Sequence, residues 1–382
     1  VKALVAFYAS PDRGSEYRSG WEFIKFAAKR GFDIAIVADL EHNMQADDSN
    51  AAALGIKIVQ IGSPVRSQAQ LYRWSDFWVQ QVWHRRVAGW IRNNAPDLQV
   101  LWVQNGAQPW LPIKGYLGLS PFLVWGPVGG GDAPPANYLH KMPFLDALRE
   151  RLRHRLQLQQ LRRKVSHISK CSETVVVPIA RTVEAQSLLS DQPVFGRPPV
   201  IPEILWPLSA TASHKQASTS PTFIWVGQDL PRKNLNMAIE LFLRLKEQHF
   251  PKSTLEIFGT RRDLNIDPSI KFHGWVSKIE WGKFASNGVL LLTSYREGLP
   301  SVILEAMESG LYCISTNIGS ISSLNSSRIY ILSMTDYPNV LDYEIENISI
   351  QLKAHLSNVN IVSQETTFDN ILDSYLQQEG VI

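Results

Sequence analysis

Cysteine is nearly missing from this chain: Cys171 and Cys313 are the only two in 382 residues. They lie far apart, with no metal-type spacing and no disulfide framework. A reducing compartment follows, and the cytoplasm is the expected location. No apolar run approaches the roughly 18–20 residues of a spanning helix, and no signal-peptide pattern opens the chain. The sequence starts at Val1 rather than Met, and the expectation is that a short piece precedes it in the unprocessed chain. There is no D-x-D run and no H-E-x-x-H, and the nine His are scattered without ligand spacing. The sequence therefore predicts no metal and no other cofactor.

What is present fits two domains, because 382 residues are too many for one ordinary core. An apolar content of 45% and a charged content of 19% are those of a globular protein. The net charge of +3 is unevenly placed: residues 1–205 hold 24 Lys and Arg against 17 Asp and Glu, and residues 206–382 hold 14 against 18. Only the first half is expected to face an anionic partner.

The most informative stretch is Ser294-Tyr295-Arg296-Glu297-Gly298-Leu299-Pro300-Ser301, running on through Glu305 to Met307. Before it, Gly288 to Thr293 is a short apolar run that reads as a buried parallel strand. After it, Ile303, Ala306, Met307 and Gly310 recur at the spacing of one helix face. Pro300 suits the first helical position, where a missing N–H costs nothing. Gly298 gives the backbone room to turn and lets a ligand come close. A strand–loop–helix unit aims the free N–H groups of a helix out of a sheet's C-terminal edge, where phosphates bind in open α/β folds. Glu297 in the loop and Glu305 in the helix then flank the anion site. Two acceptor-only groups suit a ligand with hydroxyls at both ends and phosphate between, such as a sugar nucleotide.

Glu297 and Glu305, seven residues apart in S-Y-R-E-G-L-P-S-V-I-L-E-A-M-E-S-G, resemble the E-x7-E motif of retaining glycosyltransferase family 4. That resemblance implies the GT-B fold: α/β, two Rossmann-like doubly wound domains facing across a cleft. Val226-Gly227-Gln228-Asp229-Leu230-Pro231-Arg232-Lys233-Asn234 resembles the family's V-G-R-x-x-x-x-K-[GN]. The resemblance implies that Lys233 neutralises the donor diphosphate, but Gln228 stands where the family has Arg. Arg232 could compensate, although adjacent residues are expected to point differently. By the same resemblance Glu297 holds donor-sugar hydroxyls, Glu305 holds the ribose, and Val276 touches the base by its backbone. Gly298, Leu299 and Pro300 frame the phosphate, with Gly227 at the turn. Gly14-Ser15-Glu16 with Gly20-Trp21, and the Gly126-Pro127-Val128-Gly129-Gly130-Gly131 run, are similar to signatures of a subset of the family. They imply a donor and acceptor loop at Gly14, Ser15 and Glu16, and an oxyanion or sugar site at Gly129 and Gly130. Two departures follow, and both imply an atypical donor pocket: Gly310-Leu311-Tyr312 replaces small-x-Pro, and Gly319-Ser320 replaces Gly-Gly. Gln104-Asn105-Gly106, where many relatives carry an acceptor-side His, has none.

The expected division is 1–205 as an N-terminal acceptor-binding domain, 206–220 as linker and 221–360 as the nucleotide-sugar domain. Residues 361–382 are expected to form a helix crossing back to the first domain. Trp21 to Arg30 reads as the first helix, and Leu71 to Trp90 as a Trp-rich helix whose stripe suits a core. Residues 145–164 are the most basic stretch, with seven cations against two acids, Asp146 and Glu150, and a stripe of Leu145, Leu148, Leu152 and Leu156. Such a helix suits an anionic membrane surface, or else turns its leucines to a core. Nucleic acid is not expected, because no recognition module accompanies the charge.

The function implied is retaining transfer of a sugar from a UDP- or GDP-sugar to a glycan, glycolipid or polysaccharide precursor. A degenerate partner protein without activity, or a sugar-nucleotide epimerase on the same scaffold, remain alternatives.

Overall fold

The computed structural model describes residues 1–11, 15–41, 43, 49–65, 76–104, 112–130, 133–140, 142–170, 173–192, 195–201, 220–260, 266–276, 279–298, 300–324, 326–332, 339–357 and 368–382. The chain forms two compact units. The first comprises 1–132, 153–207 and 367–382, and the second 133–152 and 208–366. Residues 133–152 thus group with the second unit, where the sequence reading puts them before the linker. The expected linker lies outside the described residues, apart from Ser220.

In the first unit a six-stranded sheet runs in the order β3-β2-β1-β4-β5-β6, all neighbours parallel. The strands are β1 (Lys2–Ala6), β2 (Ile34–Ala38), β3 (Lys57–Ile61), β4 (Val100–Gln104), β5 (Phe122–Val128) and β6 (Val175–Ala180). β4 is buried at every residue and β1 at all but its first, as a central parallel strand covered on both faces must be. Alternate residues serve opposite faces. Ala3 and Val5 enter one core with Trp83, Val87 and Ile91 of α3 (Asp76–Asn94), and with Leu161, Val165 and Ile168 of α4 (Phe144–Ile168). Leu4 enters the other core with Phe23, Ile24 and Ala27 of α1 (Ser15–Ala28). α2 (Ser49–Leu54) and α5 (Val183–Ser190) are further helices of this unit.

α1 begins at Ser15, earlier than the expected Trp21, and this has a packing reason. A Cβ at Gly20 would sit 1.8 Å from the Tyr8 carbonyl oxygen, so the helix lies directly on the backbone that follows β1. Gly20 therefore belongs inside the helix rather than in the loop before it. α3 partly fits its expected core role: Trp83 is buried and its indole N–H donates to the Ile61 carbonyl at 3.0 Å, whereas Trp78 is 63% exposed. Arg73 and Trp74 of that stretch lie outside the described residues.

The last helix described, α9 (Phe368–Gln378), packs on this first unit. Leu372 and Leu376 are fully buried in the core shared with α1. Asp373 pairs with Arg30, and Tyr375 donates to the Pro178 carbonyl at 3.1 Å.

The second unit holds a sheet in the order β12-β11-β10-β7-β8-β9, again all parallel. Its strands are β7 (Thr222–Val226), β8 (Thr254–Phe258), β9 (Ile270–Gly274), β10 (Gly288–Leu292), β11 (Tyr312–Thr316) and β12 (Ile329–Leu332). Helices α6 (Leu235–Gln248), α7 (Ser301–Glu308) and α8 (Asn339–Ser357) flank it. Counted from its own first strand, this order repeats that of the first unit, the 3-2-1-4-5-6 pattern of doubly wound dinucleotide folds. In each sheet the strand order reverses between the first and fourth strands. That reversal opens a crevice at their C-terminal ends, and in the second unit those strands are β7 and β10.

Leu376→Ala should destabilise the first unit by about 2–5 kcal/mol, the cost of a cavity in a closed core. Calorimetry should show the corresponding transition moved to lower temperature.

Candidate functional site

The loops that leave β7 and β10 meet at this reversal point. After β7 the chain turns at Gly227, whose N–H donates to the Phe258 carbonyl at 3.0 Å. A Cβ there would lie 3.1 Å from the Trp225 ring, and one on Gly259 would lie 2.8 Å from the Gly227 oxygen. Two backbones approach too closely for side chains. The loop ends in a 3-10 turn, Pro231–Lys233, and then Asn234 adopts the left-handed conformation with φ 51° and ψ 54° before α6 begins. Glycine and asparagine are the residues that tolerate this conformation best, which explains why either suits the position after the lysine.

Hydrogen bonds stitch the second loop to the first. The buried Thr293 hydroxyl lies 2.9 Å from the Asn234 carbonyl, and the Tyr295 N–H donates to the Arg232 carbonyl at 2.7 Å. From below, Thr316 donates to the Ser294 carbonyl at 2.6 Å. The segment after β11 supports the same loop, since the Ser320 N–H donates to the Gly298 carbonyl at 3.0 Å. Gly319, at φ 51°, presses so closely that a Cβ would lie 2.0 Å from the Gly298 oxygen. The glycine retained in the Gly319-Ser320 pair is thus the one that the close approach requires.

Three expected site residues converge within this frame. Lys233 Nζ lies 2.6 Å from Glu297 Oε1, and Arg232 Nη1 donates to the same oxygen at 2.8 Å. Their side chains are 16%, 30% and 13% exposed for Lys233, Arg232 and Glu297. Burial pushes the Glu297 carboxyl pKa up, but Lys233, Arg232, the hydrogen bond from Lys233 and the nearby Arg296 outweigh it and hold it below the ordinary carboxylate value. The expectation that Arg232 and Lys233 diverge is therefore corrected. In a tight turn followed by a left-handed residue, two long side chains reach one carboxylate. Gln228, where a cation was missed, is exposed on the surface.

Glu305 is held from another direction: the Trp281 indole N–H donates to its Oε2 at 3.0 Å. Nothing in the sequence pattern pointed to Trp281, which lies in a short 3-10 turn before β10. Pro300 is buried and caps α7 with extended backbone, one position earlier than expected, and Ser301 is the first helical residue. Gly310, expected on the apolar stripe, instead follows the end of the helix at φ 81°. Ile303, Ala306 and Met307 are buried as expected, with Leu304 added. Tyr312 also departs from expectation. Its ring is buried and its hydroxyl donates to Gln351 of α8 at 2.8 Å, so it serves the packing of β11 rather than the Glu297 loop.

Arg296, next to Glu297, pairs with the buried Glu150 of α4, Nε to Oε2 2.9 Å. Glu150 is the one buried acid of the basic stretch, Asp146 being half-buried, and an acid so surrounded by arginines was the signal of a partner. Val276 lies just past β9 and is half-buried. In the first unit, Gly129 and Gly130 are buried immediately after β5, with Gly130 at φ 119°. Ser15 and Glu16 open α1. Gly14, Leu299, Gly131, Asn105 and Gly106 lie outside the described residues. Among the described residues, no group of three His, Cys, Asp or Glu is arranged to hold a metal ion.

The exposed face of α4 carries the second functional candidate. Phe144, Leu145, Leu148, Leu152 and Leu156 are between 44% and 79% exposed, so the alternative of core-facing leucines does not hold. The fold instead takes Ala147, Glu150, Gln157, Leu161 and Lys164 from the opposite face. No helix among the described residues is long and apolar enough to cross a membrane.

Comparison with known proteins bears on the second unit first. Residues 210–331, which contain both loops of the site, match the family model described as glycosyl transferases group 1. Solved structures similar over the whole chain include WaaG, a glycosyltransferase involved in lipopolysaccharide biosynthesis. It is 16% identical with a TM-score of 0.59, over 98% of this chain and 99% of that one. Sucrose-phosphate synthase of Thermosynechococcus elongatus is 12% identical with a TM-score of 0.62, over 100% and 99%. Anabaena HepE, solved with UDP and glucose, is 14% identical with a TM-score of 0.56, over 100% of both chains. No curated protein matches the sequence. The chain has the two-domain α/β fold of GT-B glycosyltransferase structures. The family match over the β7 and β10 loops, taken with that fold, supports a glycosyltransferase.

Asn234→Ala should cost about 1–2 kcal/mol, the left-handed penalty of a residue with a Cβ and no local polar group. Asn234→Gly should remain close to wild type, and denaturant unfolding of the two variants checks the difference.

Proposed function

We propose that this protein is a retaining glycosyltransferase of the family 4 type, transferring a sugar from a nucleoside diphosphate sugar to a glycan, glycolipid or polysaccharide precursor. One observation carries the reading: Lys233 and Arg232 converge with Glu297 at the switch point of the second sheet. Two cations against one carboxylate leave an excess of positive charge beside the loop that leads into α7. A donor diphosphate gains negative charge as the sugar departs, and fixed cations in a partly dry site stabilise that charge without reorganising. Arg232 supplies the second cation that Gln228 lacks. Glu297 is then the acceptor of donor-sugar hydroxyls and Glu305, steadied by Trp281, the acceptor of ribose hydroxyls.

Two structural neighbours were solved with UDP and glucose and with UDP-2-fluoro glucose. UDP-sugars are accordingly the first donors to test, with GDP-sugars next. The two cations at the diphosphate position favour transfer without a metal. The acceptor belongs to the first unit, near Gly14 to Glu16 and Gly129–Gly130, with its general base unassigned. The cytoplasm is the proposed compartment, and an anionic membrane surface is the proposed partner of α4. The alternatives of an inactive partner protein and an epimerase predict, respectively, no nucleotide binding and conversion of donor alone.

A thermal-shift screen of UDP- and GDP-sugars should identify a stabilising donor, and transfer with that donor should persist in EDTA. Absence of any nucleotide stabilisation would refute the reading. Glu297→Gln should lower kcat by about 100-fold or more, the scale of losing a group that acts in the transition state, while the fold is kept. Trp281→Phe should mainly raise the donor KM, since it loosens Glu305 without touching the reacting bond. Steady-state kinetics separates the two effects.

A further inference from the structure

α4 has two faces that do different things. Its exposed side carries the five apolar residues from Phe144 to Leu156 along successive turns. Arg149, Arg151, Arg155, Arg162 and Arg163 are exposed beside and beyond them. The helix has only two acids, and neither is exposed: Asp146 is half-buried and Glu150 is buried. A row of leucines within a field of arginines, with no carboxylate in it, matches an acyl surface beneath anionic headgroups. A second copy of the helix would set arginine against arginine. A nucleic acid would leave the leucines and Phe144 without an apolar partner.

The inner side of the same helix reaches the site. Glu150 pairs with Arg296, the residue before Glu297, and Tyr138, just before α4, packs on Tyr295 at 6.0 Å between ring centroids. Two successive residues of the loop that carries Glu297 are thus held from α4 and its lead-in turn. We propose that α4 is a lipid-sensing element. Its outer face docks on an anionic bilayer, and Glu150 on its inner face passes that docking to the Glu297 loop by fixing Arg296. This rests on the transferase reading only for what the loop does, not for the docking or the ordering.

The test uses the full chain with vesicles of phosphatidylcholine alone or mixed with phosphatidylglycerol. Wild type should co-sediment with the mixed vesicles at low salt, at least about tenfold more than with neutral ones, and salt should release it. Leu148→Gln with Leu152→Gln should lower that binding about tenfold. Hydrogen exchange at the amides of 294–298 should slow when wild type meets anionic vesicles. Glu150→Gln should bind the vesicles like wild type yet lose the slowing at 294–298, and Arg296→Gln should do the same from the other side of the pair. Failure of wild type to co-sediment, or slowing that survives both pair variants, overturns the proposal. So does a leucine-dependent dimer in ultracentrifugation, or RNA binding that competes with vesicles. None of these measurements requires turnover, so a failed transferase assay with positive docking and exchange would strike only the function proposed above.

Discussion

A carboxylate shared by two cations at the edge of a parallel sheet is the interaction on which the second unit's site depends. Glu297 is mostly shielded, and leaving it ionised there requires charge close by. Lys233 and Arg232 supply it from the neighbouring loop, and the pairing draws two chain segments 64 residues apart into one wall. The hydrogen bonds from Thr293, Thr316 and the Tyr295 N–H hold the backbone so that the charges meet. Because Arg296 is already balanced by Glu150, the surplus positive charge is concentrated on Lys233 and Arg232. An anion entering this place would find donors that are already oriented, which is where electrostatic catalysis derives its advantage.

Much of this was legible in the residues, and the reasons differ by element. The central strands read clearly because strands covered on both faces are continuous apolar runs. β12 escaped the reading: Ile329 to Leu332 is an apolar run of only four residues, mostly half-buried at the sheet's edge and too short to declare itself a strand. Helix α7 was readable by its stripe, but its limits shifted by a residue at Pro300, where cap and first turn look alike in sequence. The pairing of Arg232 with Glu297 was not legible. It depends on a 3-10 turn and a left-handed residue, which break the rule that neighbours on a regular element diverge. Trp281 could not have been found either, since a tryptophan before a strand most often serves packing.

The reading of α4 shows how one pattern permits two opposite folds. An apolar stripe alone does not say whether it faces inward. What decided the orientation was the residues opposite: Ala147, Gln157, Leu161, Val165 and Ile168 form the side turned to the protein, and the leucines are left outside. Tyr312 teaches the same lesson in reverse. Its place in a family pattern suggested the donor pocket, yet its hydroxyl is satisfied by α8.

The return of α9 to the first unit has a bearing on how the chain is made. Leu372 and Leu376 fill a cavity whose other walls are contributed by the opening strands and α1. On the ribosome those walls emerge first and must wait, with an open seam, for a segment that follows the second unit in the chain. Completion of the first lobe is thereby tied to a segment made only after the whole of the second. A product cut short before α9 would carry an unfinished first lobe although every residue of its two opening helices and of its sheet had been made.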